Sequence, residues 1–277
     1  MKAWDDAPHP PAPPIGPVGW ARVALRGTIM GLITFGGLAL LLLLRLIERP
    51  IFGLRRPVTP WITQFVCRAN LGVMGLRRHV HGAVMQGTGA VVANHVSWLD
   101  IFALNASKRI YFVAKSEVAG WPGIGWLARA TGTLFIERRP AEAKRQQELF
   151  ETRLKMTHRL LFFPEGTSTD GRRVLPFKTT LFAAFFSAGL PVDMQVQPVT
   201  LIYRAPEGVP ETFYGWWGTE GFGAHLLRML AARRHGAVEV VYHAPLRTAD
   251  CRDRKAMARL AEETIRQRLS AGLTEAR

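Results

Sequence analysis

Three short loops bring together residue types that do chemistry. In the first, Asn94-His95-Val96-Ser97-Trp98-Leu99-Asp100, an aspartate follows a histidine by five positions. Among the eight histidines His95 alone has that partner. With His95 at a strand end and Asp100 in the first turns of the next helix, the chain folds back on itself. The carboxylate then holds one imidazole nitrogen and leaves the other free as a base. The same spacing suits a histidine packed at a strand end beside a helix N-terminal acid, so the pair by itself leaves both readings open.

The second loop is Phe163-Pro164-Glu165-Gly166-Thr167-Ser168. A carboxylate on a Pro-x-Gly turn is held in a fixed direction. Glu165 can accept a hydrogen bond from an acceptor hydroxyl, and the amides of Gly166 and Thr167 can face an anion. An ordinary turn with an exposed acid is the alternative. The third loop, Gly132-Thr133-Leu134-Phe135-Ile136-Glu137-Arg138, ends a strand on a charge pair. Arg138 either grips a phosphate or carboxylate or pairs with Glu137 at the surface. Neither cysteine, Cys67 or Cys251, stands in such a loop, and no metal-ligand spacing occurs, so no thiol nucleophile and no metal are expected.

Each loop follows a short apolar run, the place where α/β sheets put their ligands. The runs Arg78–Val84, Ala90–Ala93, Ile110–Ala114, Thr133–Ile136, Leu160–Phe163, Val196–Tyr203 and Val238–Tyr242 read as strands. Between them Ser97–Leu104, Pro140–Thr157, Thr179–Ala188, Gly223–Arg234 and Asp253–Ser270 read as helices. In Pro140–Thr157 an apolar stripe of Leu149, Phe150, Leu154 and Met156 among charges marks a helix packed by one face. This alternation implies an α/β domain with a mixed, largely parallel sheet flanked by helices.

The N-terminal quarter is different. Residues 1–20 hold six of the 18 prolines and show no apolar period, which reads as a disordered tail. Gly27–Leu44 is an uncharged run of 18 residues between Arg26 and Arg45. That length reaches the lower limit for crossing a bilayer, so residues 21–60 read as a membrane-anchoring helical segment and 61–277 as the folded domain. Arg45, Arg49, Arg55 and Arg56 outnumber Lys2, Arg22 and Arg26 on the other side, which puts the domain on the cytoplasmic side. The 277 residues carry a net charge of +15. No RNP, zinc-finger or helix-turn-helix pattern accompanies it, so anionic lipid is the expected partner and nucleic acid is not.

In order along residues 75–205, His95–Asp100, Gly132–Arg138, Phe163–Thr167 and the strand Gln197-Pro198-Val199 resemble the glycerolipid acyltransferase family. Lys115-Ser116 and Leu175-Pro176-Phe177-Lys178 look like the segments between its motifs. The resemblance implies acyl transfer without a covalent enzyme intermediate and without a cofactor. His95 would take the proton from a lysolipid hydroxyl, and Asp100 would orient it. Arg138, Glu165, Gly166 and Thr167 would bind the acceptor, and an acyl thioester on acyl carrier protein or CoA would be the co-substrate.

One position departs from the pattern. Members acting on 1-acylglycerol 3-phosphate commonly continue Glu-Gly-Thr with an arginine, whereas this chain has Ser168 and then Thr169-Asp170-Gly171. A lost bidentate donor and a nearby acid both weaken a phosphate site, unless Arg172 and Arg173 compensate. The resemblance therefore leans towards lyso-ornithine lipid as acceptor, with 1-acyl-sn-glycerol 3-phosphate as the alternative. Farther on, Phe213, Tyr214, Trp216 and Trp217 form an aromatic cluster that reads chiefly as core.

Overall fold

The computed structural model describes residues 4–10, 13–137, 143–156, 158–187, 190 and 194–275. Helix α1 (Pro17–Phe52) opens on a proline in its first turn, where a missing N–H leaves no hydrogen bond unmade, and stops at Gly53. Of the segment read as a disordered tail, residues 17–20 belong to α1, and the carbonyls of Trp4 and Ala7 accept from Gly218 and Trp217. A hairpin turn leads to α2 (Thr59–Met74), which packs against α1. The turn is closed by Glu48, whose carboxylate accepts from the amides of Val58 and Thr59 and from the Thr59 hydroxyl.

The sheet is built from β1 (Arg77–His81), β2 (Gly89–Ala93), β3 (Tyr111–Lys115), β4 (Leu134–Ile136), β5 (Leu160–Phe162), β6 (Gln195–Arg204), β7 (Ala237–Tyr242) and β8 (Leu246–Arg247). Its order is β1-β7-β6-β2-β5-β3-β4, with β8 pairing β6. Strands β4, β3, β5, β2 and β6 run parallel, and β7 and β8 are antiparallel to β6. The mixed, largely parallel sheet expected from the sequence is thus the one observed. Central β2, Gly-Ala-Val-Val-Ala, is buried along its whole length, as a parallel strand covered on both faces must be. β1 ends sooner than Val84 because Gly82 turns the chain at φ 76°, with the Tyr242 carbonyl where a side chain would stand.

Alternating residues feed two cores. Val91, Ala93, Val199, Leu201 and Tyr203 face α1, α2 and the helices α3 (Leu99–Ser107) and α6 (Phe222–Ala231). Ala90, Val92, Val196 and Ile202 face α5 (Ala143–Lys155) and α7 (Arg254–Glu275). The helix expected at Thr179–Ala188 is a short 3-10 turn, Leu181–Phe186. Helix α2 and a further helix α4 (Ile124–Thr131) carry no expectation from the sequence. Pro198 sits inside β6 without breaking it. On that edge the neighbour changes from β8 at Val196 to β7 at Val199, so a missing N–H falls in the gap.

Because β2, β3, β4, β5 and β6 are parallel, their C-terminal ends share one edge of the sheet. The loops after β2 and β5, and the end of β6, meet there.

Candidate active site

His95 follows β2 directly, and the residue before it fixes where the strand ends. The Asn94 side chain donates to the Leu201 carbonyl at 3.0 Å and accepts from the Leu201 amide at 2.8 Å, copying a strand residue against β6. The chain then turns into α3, and Asp100 lies in its first turn, fully buried. His95 Nδ1 is 2.7 Å from Asp100 Oδ2. The same oxygen accepts from the amides of Val96 at 2.8 Å and Ser97 at 3.1 Å, and Oδ1 accepts from the Tyr203 hydroxyl at 2.8 Å. Every other partner of Asp100 is a donor, so the imidazole must donate as well. The proton sits on Nδ1, and Nε2 keeps its lone pair.

Tyr203 is the residue that sequence reasoning missed. It belongs to a strand identified from the sequence, but only the β2–β6 pairing carries it to Asp100. Burial, reinforced by the charge and hydrogen bond of Asp100, holds its hydroxyl well above the ordinary tyrosine range. It therefore stays a donor. The opposite side of His95 is covered by Phe163, whose ring stacks at 4.0 Å and 10°. The imidazole remains 20% exposed, enough for Nε2 to meet a substrate.

The Phe-Pro-Glu-Gly-Thr loop clamps the histidine rather than facing outward. Glu165 Oε1 accepts the His95 amide at 2.7 Å, and Oε2 accepts the Leu175 amide at 2.7 Å. Its carboxyl is 2% exposed, and burial pushes it up to about 8, against the pull of those two amides. Each oxygen takes one backbone amide in this buried setting, so these contacts position the His95 loop. The Gly166 amide closes the turn on the Phe163 carbonyl at 3.0 Å, with φ 72°, and is not turned to an anion. Thr169 completes the clamp by donating its amide to the His95 carbonyl at 3.0 Å. At the end of this loop the Thr167 hydroxyl accepts from the Trp4 amide at 3.5 Å. Arg138 lies outside the described residues.

The aromatic cluster is tied to both loops. The Trp216 amide donates to the Val96 carbonyl at 2.9 Å, and the Ser168 hydroxyl donates to the Trp216 carbonyl. Trp98, inside the His95–Asp100 loop, donates to His225 Nδ1 on α6 at 2.9 Å, and His225 Nε2 donates to the Gly215 carbonyl at 3.0 Å. Burial, with Arg228 nearby, lowers His225 to about 3, which keeps it neutral and able to accept from Trp98. No motif in the sequence marks this link, since its ends lie 127 positions apart.

A histidine with a free Nε2, backed by a buried carboxylate, suits removal of a proton from an alcohol. The acyltransferase family model matches residues 77–202. The chain is 57% identical over 261 residues, 94% of each chain, to a lyso-ornithine lipid O-acyltransferase of Rhodobacter capsulatus. It is 34% identical over 249 residues, 88% of this chain and 92% of the relative, to an enzyme of the same name from Pseudomonas aeruginosa. Its fold matches the crystal structure of the 1-acyl-sn-glycerophosphate acyltransferase from Thermotoga maritima with a TM-score of 0.57 at 19% identity, over 91% of this chain and 98% of that one. The chain belongs to the glycerolipid acyltransferase family and is an acyltransferase enzyme.

Proposed function

We propose that the chain acylates the free hydroxyl of lyso-ornithine lipid, taking the acyl group from acyl carrier protein or CoA. The observation that carries this is the 57% identity, across 94% of both chains, to an enzyme named for that reaction. His95 Nε2 takes the hydroxyl proton as the oxygen attacks the thioester carbonyl. The C–O bond forms, the C–S bond breaks, and the imidazolium returns the proton to the leaving thiolate. Asp100 steadies the positive ring during this passage.

The acceptor choice has local support. Ser168 stands where an arginine would suit a phosphate dianion, and its hydroxyl is turned to Trp216. The arginines that would compensate are engaged elsewhere: Arg172 with Glu211 at 2.7 Å and Arg173 with Asp170 at 3.0 Å. A phosphate would have to compete with those carboxylates. Purified enzyme should acylate lyso-ornithine lipid at least as fast as lysophosphatidic acid in parallel assays. Activity on the phosphate lipid alone overturns the assignment.

The enzyme works at a membrane surface, on the cytoplasmic side of the inner membrane. Helix α1 is long and apolar enough to span, with 36 residues and a mean hydropathy of 2.2 in its most apolar window. It is, however, held along the domain throughout. Arg22 and Arg26 donate to carbonyls at the end of α6, Thr34 accepts from Asn70, and Glu48 closes onto Thr59. Leu25, Leu32, Leu43 and Leu46 are exposed on its outward side. A helix held to the same domain at both ends and its middle favours lying in one leaflet over carrying its ends to opposite sides.

A further inference from the structure

A second groove lies away from His95, between the C-terminal half of α1, the turn after it and α4. It has a volume of about 590 Å³. Its floor is apolar, with Leu42 and Trp126 half or more exposed. Its rim is formed by Arg45, Arg49, Arg56 and Arg129, and no acidic residue lines it.

Carbonyl acceptors hold Arg45, Arg56 and Arg129 in place, and of the four rim arginines only Arg45 has an anionic partner among the described residues. Arg56 donates to the Ala130 carbonyl, and Arg129 donates to the Ala119 carbonyl at 2.8 Å. Arg45 donates to the Gly53 carbonyl at 3.1 Å and pairs with Glu48 at 3.0 Å. Among the described residues Glu48 is the one carboxylate ion-paired with any of the four. Carbonyls orient an arginine but leave its charge, and each guanidinium has five N–H groups of which these bonds use few. Burial, more than the charges of Arg45 and Arg153, lowers Arg56 to about 10, with Glu48 and Tyr111 pulling the other way.

We propose that this groove binds the headgroup of an anionic phospholipid, with the phosphodiester among the four arginines and the start of an acyl chain on Leu42 and Trp126. The bound lipid is not the substrate, since its site is separate from His95. A free phosphate would meet the rim but leave the apolar floor open to water, so the floor selects a lipid. The outward leucines of α1 adjoin the groove and bring it to the bilayer surface where such lipids lie. The proposal rests on the reading of the chain as a membrane-surface enzyme.

The test is cosedimentation of the full chain with vesicles of pure phosphatidylcholine, or of phosphatidylcholine containing phosphatidylglycerol. Arg49 and Arg129 are both exposed, so the double variant Arg49→Gln/Arg129→Gln is expected to keep the fold, checked by its melting temperature. The matched control is Arg254→Gln/Arg259→Gln on α7, across the sheet from α1, which removes the same charge. An arginine near an anionic surface contributes about fivefold in affinity. The groove variant should lose roughly twenty-five-fold on the anionic vesicles and little on the neutral ones, while the control stays near wild type. Equal losses in both variants would show diffuse attraction and overturn the site. Inorganic phosphate that competes as well as the lipid would overturn the choice of a lipid. Wild type that binds neutral and anionic vesicles alike sinks the groove but spares the membrane reading, whereas failure to bind either sinks both.

Discussion

The hydroxyl of Tyr203, at the end of β6, reaches across the sheet edge to Asp100 Oδ1 at 2.8 Å, on the side of the carboxylate away from His95. Together with two backbone amides it surrounds the acid with donors, and this is what orients the imidazole. Replacing the tyrosine by phenylalanine removes one donor from a buried carboxylate, at a cost of about 1–3 kcal/mol. Tyr203→Phe should lower kcat roughly tenfold or more while KM for both substrates holds. It should also move the pH profile of kcat, which a purely structural loss would not do. An unchanged kcat and profile would remove Tyr203 from the site.

Removing the base itself is more severe. His95→Ala should cut turnover by roughly 10²–10⁴ with little change in melting temperature or vesicle binding, because the ring is partly exposed and its backbone contacts persist. Diacylated product formed at the wild-type rate would refute the assigned chemistry.

Glu165 makes stability depend on pH in the alkaline direction. A carboxyl held at about 8 keeps its proton in the fold, whereas the ordinary value of 4.5 lets the unfolded chain lose it. The resulting contribution is complete below about 4.5 and disappears as pH rises through 8, by at most about 1.4 kcal/mol per pH unit. Glu165→Gln should be less stable at pH 6, since its amide group confronts the amide of His95 or Leu175. Its melting temperature should nevertheless fall less than that of the wild type between pH 6 and 9. Parallel curves for the two proteins would contradict the buried-acid account.

Acid acts through buried histidines. Burial lowers His158 and His235 to about 4 and His225 to about 3, against an ordinary 6.5. Each is neutral in the fold, so the stability it contributes is present above 6.5 and is lost as pH falls to 4 and below. Three such groups give a slope approaching about 4 kcal/mol per pH unit between roughly pH 6 and 4. Urea midpoints measured across that window should fall steeply, and His235→Gln should take about a third off the slope. A flat profile would mean that these imidazoles are protonated in the fold.

Much of the site was legible in the residue order. His95–Asp100, the Phe-Pro-Glu-Gly-Thr turn, the alternation of strands and helices, and the apolar run at Gly27–Leu44 are local patterns. They follow from spacing, turn chemistry and hydropathy, and the first of them proved to be a hydrogen-bonded pair. The mixed sheet and acyltransferase membership were readable for the same reason.

What the order of residues could not decide is which way a side chain faces once distant strands meet. Glu165 was readable as a turn acid, but its inward direction depends on the β2–β5 pairing that brings the His95 amide to it. Tyr203, Asn94 and the Trp98–His225 link depend on β6 and α6 packing beside β2 and α3, across separations of more than a hundred residues. Likewise an apolar helix around Gly27–Leu44 follows from composition, whereas its extent from Pro17 to Phe52 and the strapping that holds it to the domain are matters of packing. Local sequence determines which groups are available and how the nearby backbone bends. The partners of a buried polar group are chosen only when the sheet closes, because its unmet hydrogen bonds must then be satisfied by whatever the fold brings within 3 Å or so.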